Sequence, residues 1–230
     1  MIDPVIYDWP SSVQPSRQIF HAGGQSLEGG FTSGSVRVLN PEPGGVSWLE
    51  MEFGYQDNAP ADALVSWLMS KVSNGNVFRV PIAPSPQVIS LPALGITGLF
   101  EDFGLPWDNG QPWDVGRNWQ VEPGAIATEA ALDGTMSLKM NMGNLSNGLR
   151  PGHVIGHNSM AYMIDDIEYS GSIASITLMS PLRISVGVDD FINFRPKGLF
   201  TASNPDAFRG LYETADLVKL GSIRLMEAIP

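Results

Sequence analysis

The sequence predicts a mainly β protein: a β-sandwich or barrel carrying one packed α-helix, plus a second small β-barrel. Three observations lead there. Several stretches alternate apolar and polar residues with a period of two, the mark of a strand with one buried face. Twenty-five glycines and eighteen prolines are spread along the 230 residues without a period, which fits many turns between short strands. Only one stretch carries apolar residues at convincing helical spacing.

In chain order, residues 1–20 predict an extended arm. Pro4, Pro10 and Pro15 remove backbone donors among the aromatic Tyr7, Trp9 and Phe20, a composition suited to a sheet edge or to a segment lying across a neighbour. Gly23-Gly24 and Gly29-Gly30 bracket Gln25 to Glu28 as a loop. Strands follow at Ser35 to Leu39 and Trp48 to Tyr55, joined by a hairpin loop with turn chemistry, Asn40-Pro41-Glu42-Pro43-Gly44-Gly45. In the second strand Leu49, Met51, Phe53 and Tyr55 share one face.

The helix is expected over Pro60 to Val72. Asp57 or Asn58 caps it, and Leu64, Val65, Leu68 and Val72 form its stripe beside Trp67. Asn74-Gly75-Asn76 ends it. Val77 to Ile82 is a strand, and Pro84 to Thr97 a long loop. Pro106-Trp107-Asp108-Asn109-Gly110 is then echoed by Pro112-Trp113-Asp114-Val115-Gly116, with Trp119 at the same spacing. Two copies are too few for a repeat fold and build consecutive turns presenting indoles. Strands resume at Ile126 to Ala131 and Thr135 to Met142.

From Leu149 to Phe200 the chain reads as one small barrel. Pro151-Gly152 turns into a short strand, Met160 to Asp165 is an aromatic strand, and Ser170-Gly171-Ser172 reverses into the alternating Ile173 to Met179. Ile184, Val186 and Val188 repeat the alternation, and Phe191 to Arg195 is a last strand stopped by Pro196 and Gly198. Asn204-Pro205-Asp206 is a turn, Ala207 to Tyr212 a helical turn, and Lys219 to Ile229 a final strand returning to the first sheet. The expected domains are therefore 1–100 with the helix, a Trp-rich linker 101–120, a barrel 121–200, and 201–230 rejoining the first unit.

The order Arg150-Pro151-Gly152-His153, Ala161-Tyr162-Met163-Ile164, Ile176-Thr177-Leu178, Pro181-Leu182-Arg183 and Phe194-Arg195-Pro196-Lys197-Gly198-Leu199-Phe200 resembles the C-terminal cassette of minor tail proteins from long-tailed, non-contractile bacteriophages. The closest type is the distal tail protein at the tube tip. The resemblance is specific over this cassette and architectural before it. It implies a tail-tube-like sandwich with an OB-like or similar second barrel. It also implies a virion subunit that pairs with itself in a ring, as a hexamer, between the tail tube protein and the hub of the tip. DNA would pass through the lumen without specific binding. The matching residues are structural, so no catalytic role and no cofactor come with them.

Composition agrees with such a part. The formal net charge is −11, and no Lys/Arg cluster offers phosphates a footprint. Cysteine is absent, so thiolate metal sites and disulfides are excluded and folding in a reducing compartment is expected. Met1-Ile2-Asp3-Pro4 lacks the pattern of a signal peptide, and no apolar run approaches the ~20 residues of a membrane helix.

Chemistry is sparse. His153 and His157 lie four apart, but Pro151, Gly152 and Gly156 oppose a helix, and a strand would separate them by about 13 Å. Asp165-Asp166, Asp189-Asp190 and Asp108 with Asp114 sit where Asp serves turns. Gly24-Gln25-Ser26-Leu27-Glu28 fails as a nucleophile elbow. No enzyme and no metal are expected. The candidate interface residues are Tyr7, Trp9, Trp107, Trp113 and Trp119, because aromatic residues are enriched at buried subunit contacts. The alternative is a carbohydrate- or receptor-binding module using Trp107, Trp113 and Trp119 as a stacking platform.

Overall fold

The computed structural model describes residues 5–10, 13, 15–23, 26–31, 37–41, 45–53, 55–57, 66–67, 70–72, 74–82, 124–143, 148–203, 211–214, 217–219 and 222–228. The chain is mainly β, built around a six-stranded sheet and a closed six-stranded barrel. The sheet contains β1 (Ile6–Asp8), β2 (Arg17–His21), β5 (Trp48–Glu52), β7 (Val77–Pro81), β14 (Lys197–Ala202) and β17 (Ser222–Glu227). Their spatial order is β1-β7-β14-β17-β5-β2. β1 joins β7 in parallel, and every other pair in the sheet is antiparallel.

Alternation explains the sheet's inner face. Leu49 and Met51 of β5, Phe78 and Val80 of β7, and Ile223 and Leu225 of β17 are buried, while Glu52 and Arg224 between them are exposed. Trp67 and Val72 pack on this face, and residues 66–67 and 70–72 are helical. The turn ends where expected: Gly75, at φ +66°, donates its N–H to the Val72 carbonyl. The rest of the expected helix lies outside the described residues.

The barrel is formed by β8 (Gly124–Ala127), β9 (Ser137–Asn141), β10 (Val154–His157), β11 (Met160–Ser170), β12 (Ile173–Leu178) and β13 (Phe191–Asn193), in the order β10-β11-β12-β9-β8-β13. A single β10–β13 pairing, Gly156 with Asn193, completes the closure. Small inward residues (Ala125, Ala127, Ala174) complement large ones (Met140, Ile164, Leu178, Phe194) in its core. β11 shifts register against β12 between Ile164 and Asp166, where the Asp166 carboxylate accepts the Ile167 N–H.

Two further sheets are small. β3 (Ser26–Phe31) pairs with β4 (Arg37–Pro41), and β6 (Tyr55–Asp57), β15 (Leu211–Thr214) and β16 (Leu217–Lys219) form a three-stranded sheet.

Several expectations change. The expected arm takes the first of the two placements its prolines suited, supplying the edge strands β1 and β2 of the sheet, and no segment across a neighbour is needed to place them. Ser26–Phe31 is a strand where a loop is expected, because Ser26, Leu27, Glu28 and Phe31 pair antiparallel with 37–41 while Gly29 and Gly30 fall in a register shift between them. The described strands on either side of the expected hairpin loop do not pair with each other, since β4 pairs with β3 while β5 lies between β2 and β17. Ile184 to Val188 is not a strand: Val186 makes an isolated bridge to Ala131, and Asp189 turns the chain at φ +67°. Pro196 does not end β structure but switches the chain from barrel to sheet, so Lys197–Ala202 becomes central β14. Tyr212 is in a strand and not a helical turn, and Lys219 belongs to β16. The barrel strands thus lie in sequence between β7 and β14, two neighbours of one sheet, and β17 returns to that sheet between β14 and β5.

Candidate functional site at the seam of sheet and barrel

Sheet and barrel share their cores. Val77 and Leu199 of the sheet belong to the barrel's apolar cluster, and Ala161 and Val154 of the barrel pack with the sheet's cluster. A polar clasp spans the same seam. Arg183, in the loop after β12, approaches Glu227 of β17 with Nη2 3.5 Å from Oε2, and donates to the Gly45 carbonyl. The Glu227 carboxylate also accepts the Ser47 N–H at 3.1 Å. Ser47 returns its carbonyl to the Glu227 N–H at 2.8 Å. The Arg183 N–H donates to Tyr162 Oη at 3.0 Å, and burial pushes that phenol above its ordinary value.

An open cleft of about 340 Å³, lined by none of the clasp residues, also lies between the two units. Arg79 and Lys197 come from the sheet. His157, Asn158, Ser159, Asp190, Phe191 and Asn193 come from the barrel. The turn from β10 to β11 positions Asn158 and Ser159, both at positive φ (46° and 64°). His157 is buried, with Nε2 3.0 Å from Asn158 Nδ2 and 3.5 Å from Asp190 Oδ2, while its Nδ1 has no partner. Asp190 Oδ2 accepts the Gly187 N–H at 2.6 Å. Arg79 is bonded to Asp8 at 3.1 Å.

The sheet's margins are the third feature. β1 and β2 each have one strand neighbour among the described residues. Val5 and Ile6, at the β1 margin, are 54% and 45% exposed. At the other margin, charges ladder across the outer face: Arg17–Glu52 at 3.3 Å, Arg224–Glu50 at 2.7 Å, and His21–Glu50 at 3.7 Å. The Arg224 hydrogen bond holds the Glu50 carboxyl below its usual range.

The residues singled out from sequence scatter across these features. Trp9 is buried at 7% exposure, stacked on Phe53 and edge-on to Phe78, with Nε1 donating to Val13 O at 2.8 Å. Tyr7 meets Trp67 at 5.6 Å and Phe78 at 6.3 Å, with the Lys71 ammonium 4.8 Å over its ring. Both therefore serve the chain's own core, and Trp9 offers almost no surface to a partner. Trp107, Trp113 and Trp119, with Asp108 and Asp114, lie outside the described residues. His153 accepts the Arg150 N–H on Nδ1, and burial, then the nearby Arg150 charge, holds its pKa low. The two histidines thus work separately. Asp166 and Asp190 bond backbone N–H groups of a bulge and a turn, as turn chemistry requires.

Arg79, Asn158 and Lys197 in the cleft, and Arg183 with Glu227 in the clasp, had no sequence signal as groups, since each set comes together only when the barrel docks on the sheet. Among the described residues no cluster of three or more His, Asp or Glu side chains could hold a metal, and no helix is long and apolar enough to cross a membrane. Compared with family models and with curated proteins, the chain matches none.

Proposed function

We infer that this chain is a structural subunit of a bacteriophage tail tip, of the distal tail type, working by closing into a homo-oligomeric ring between tail tube and hub. The observation that carries this reading is the β1 margin, where an edge strand with one neighbour among the described residues presents exposed Val5 and Ile6. Such an edge is a template for pairing with another chain unless it is covered. Repetition of one edge contact around an axis closes a ring. The clasp between sheet and barrel supports the same reading, because a ring of fixed geometry needs subunits whose two parts do not swing. The acidic balance suits a lumen that DNA traverses without sticking.

The test is mass photometry and negative-stain imaging of the purified chain and of the double variant Val5→Lys, Ile6→Lys. The wild type should form closed rings, and the variant should be monomeric with an unchanged melting temperature. A wild type that stays monomeric at high concentration, or a variant that still closes, overturns the reading.

A further inference from the structure

We propose that the cleft between sheet and barrel binds an acidic sugar, a pyranose carrying one carboxylate, with Phe191 as its stacking platform and Lys197 as the partner of its charge. The proposal stands apart from ring closure and uses neither the sheet margin nor the Trp repeat.

The platform is built by a glycine. A Cβ on Gly124 would collide with the Phe191 ring and stand 2.5 Å from the Ile192 carbonyl oxygen. The phenyl group therefore lies against bare backbone on one side. It remains 41% exposed and lines the cleft. An aromatic ring anchored beneath and open above is the surface on which the C–H face of a sugar ring stacks, because the π face carries partial negative charge.

Around it stand groups of both kinds that sugar hydroxyls require. Asn158 supplies an amide oxygen, Ser159 a hydroxyl, and Arg79 keeps guanidinium donors beyond the one used on Asp8. Asp190 adds acceptor capacity while its orientation is fixed by Gly187 and His157. The volume, about 340 Å³, falls at the small end of ligand sites, which span ~300–1,000 Å³.

Charge decides the class of sugar. Arg79 is matched by Asp8, and Asp190 faces His157. Lys197 has no acidic partner among the described residues and is left as the one uncompensated cation of the cleft. A neutral sugar leaves that ammonium unused, and a strongly anionic ligand meets Asp190. A single carboxylate on a hydroxylated ring satisfies both. One cost is retained beside this place, the unpartnered Nδ1 of buried His157, whereas the positive φ of Asn158 and Ser159 is what the two-residue hairpin between His157 and Met160 requires.

The experiment is an amide-resolved NMR titration of the full chain with glucuronate, glucose and acetate in parallel. Glucuronate should give saturable shifts at Asn158, Ser159, Phe191 and Lys197, with glucose and acetate each at least about tenfold weaker. Lys197→Met should weaken glucuronate by about tenfold, the scale of one charge-assisted hydrogen bond, and leave glucose unchanged. Phe191→Leu, which still covers Gly124, should weaken both sugars. Absence of saturation with glucuronate overturns the proposal, as does acetate binding equally well, which would mark a plain anion site. Insensitivity of glucuronate binding to Lys197→Met overturns it even if the Phe191 variant fails to fold.

Discussion

Arg183 and Glu227 meet 3.5 Å apart at the seam of sheet and barrel, with side chains only 11% and 4% exposed. One comes from the loop after a barrel strand, the other from the last strand of the sheet. Their contact, extended through Ser47, Gly45 and Tyr162, ties the inserted barrel to the sheet that brackets it. Two charges withdrawn from water this far are costly alone and tolerable together, so the pair fixes geometry more than it adds stability.

Breaking the pair from one side should therefore cost more than removing both charges. Arg183→Met leaves the Glu227 carboxylate buried with the Ser47 N–H of its own sheet as its remaining bond, and should destabilise by about 3–5 kcal/mol. The double variant Arg183→Met, Glu227→Gln should recover a large part of that loss. Urea unfolding followed by tryptophan fluorescence measures both. A double variant less stable than the single one would show that the charges contribute net stability.

Trp9 gives a second expectation. Its indole stacks on Phe53 and its Nε1 closes onto Val13 O, while β1 just before it fills the sheet edge beside β7. Trp9→Ala should cost about 3–5 kcal/mol, the range for a large aromatic removed from a core. Deleting residues 1–15 should unfold the sheet and not merely prevent assembly. Circular dichroism of the truncated chain decides; a native spectrum and melting point would mean that the segment is dispensable to the fold.

These N-terminal strands also show where the sequence was legible. Alternation located β5, β9, β12 and β17 because one face of each is buried and the other wet, and the stop at Asn74-Gly75 was visible because Gly75 takes a positive φ. Pairing partners were not visible. A short run such as Ile6–Asp8 carries no period, and its role as a parallel edge strand depends on β7, some seventy residues on. Lys197–Ala202 was hidden for the opposite reason. Gly198, Leu199 and Phe200 are buried on both faces of a central strand, so no alternation survives. The cleft was illegible for the same long-range reason, since Arg79 and Asn158 become neighbours only through docking. Arg183 was noticed as part of a Pro-Leu-Arg sequence, but its partner Glu227 lies in another element and carries no motif.

Stability should fall on both sides of neutral pH, for separate causes. Burial lowers the pKa of His153, whose Nδ1 must stay unprotonated to accept the Arg150 N–H. The unfolded chain then binds the proton more readily. The contribution is complete above the ordinary histidine value and is lost as pH falls below it toward the lowered one. Tyr162 and Tyr169 are shifted upward by burial, so their contribution is complete below the ordinary phenol value and lost as pH rises beyond it. Urea midpoints measured across pH should show both arms, and His153→Asn should flatten the acidic one. An acidic arm of unchanged size in that variant would assign the loss to other groups.

Gly124 offers the most local test of the barrel's surface geometry. Its missing side chain is the space that the Phe191 ring occupies, and the neighbouring Ile192 carbonyl belongs to the β8–β13 ladder and cannot retreat without breaking it. Gly124→Ala should therefore displace the ring and strain the strand pair, destabilising by about 1–3 kcal/mol, as overpacking does. The ordinary gain from replacing a flexible glycine, about 0.4–1 kcal/mol, is too small to offset this. Thermal unfolding gives the sign directly. A stabilised Gly124→Ala variant would mean that the ring can leave its seat at little cost, and that the cleft wall is not held in place by the glycine beneath it.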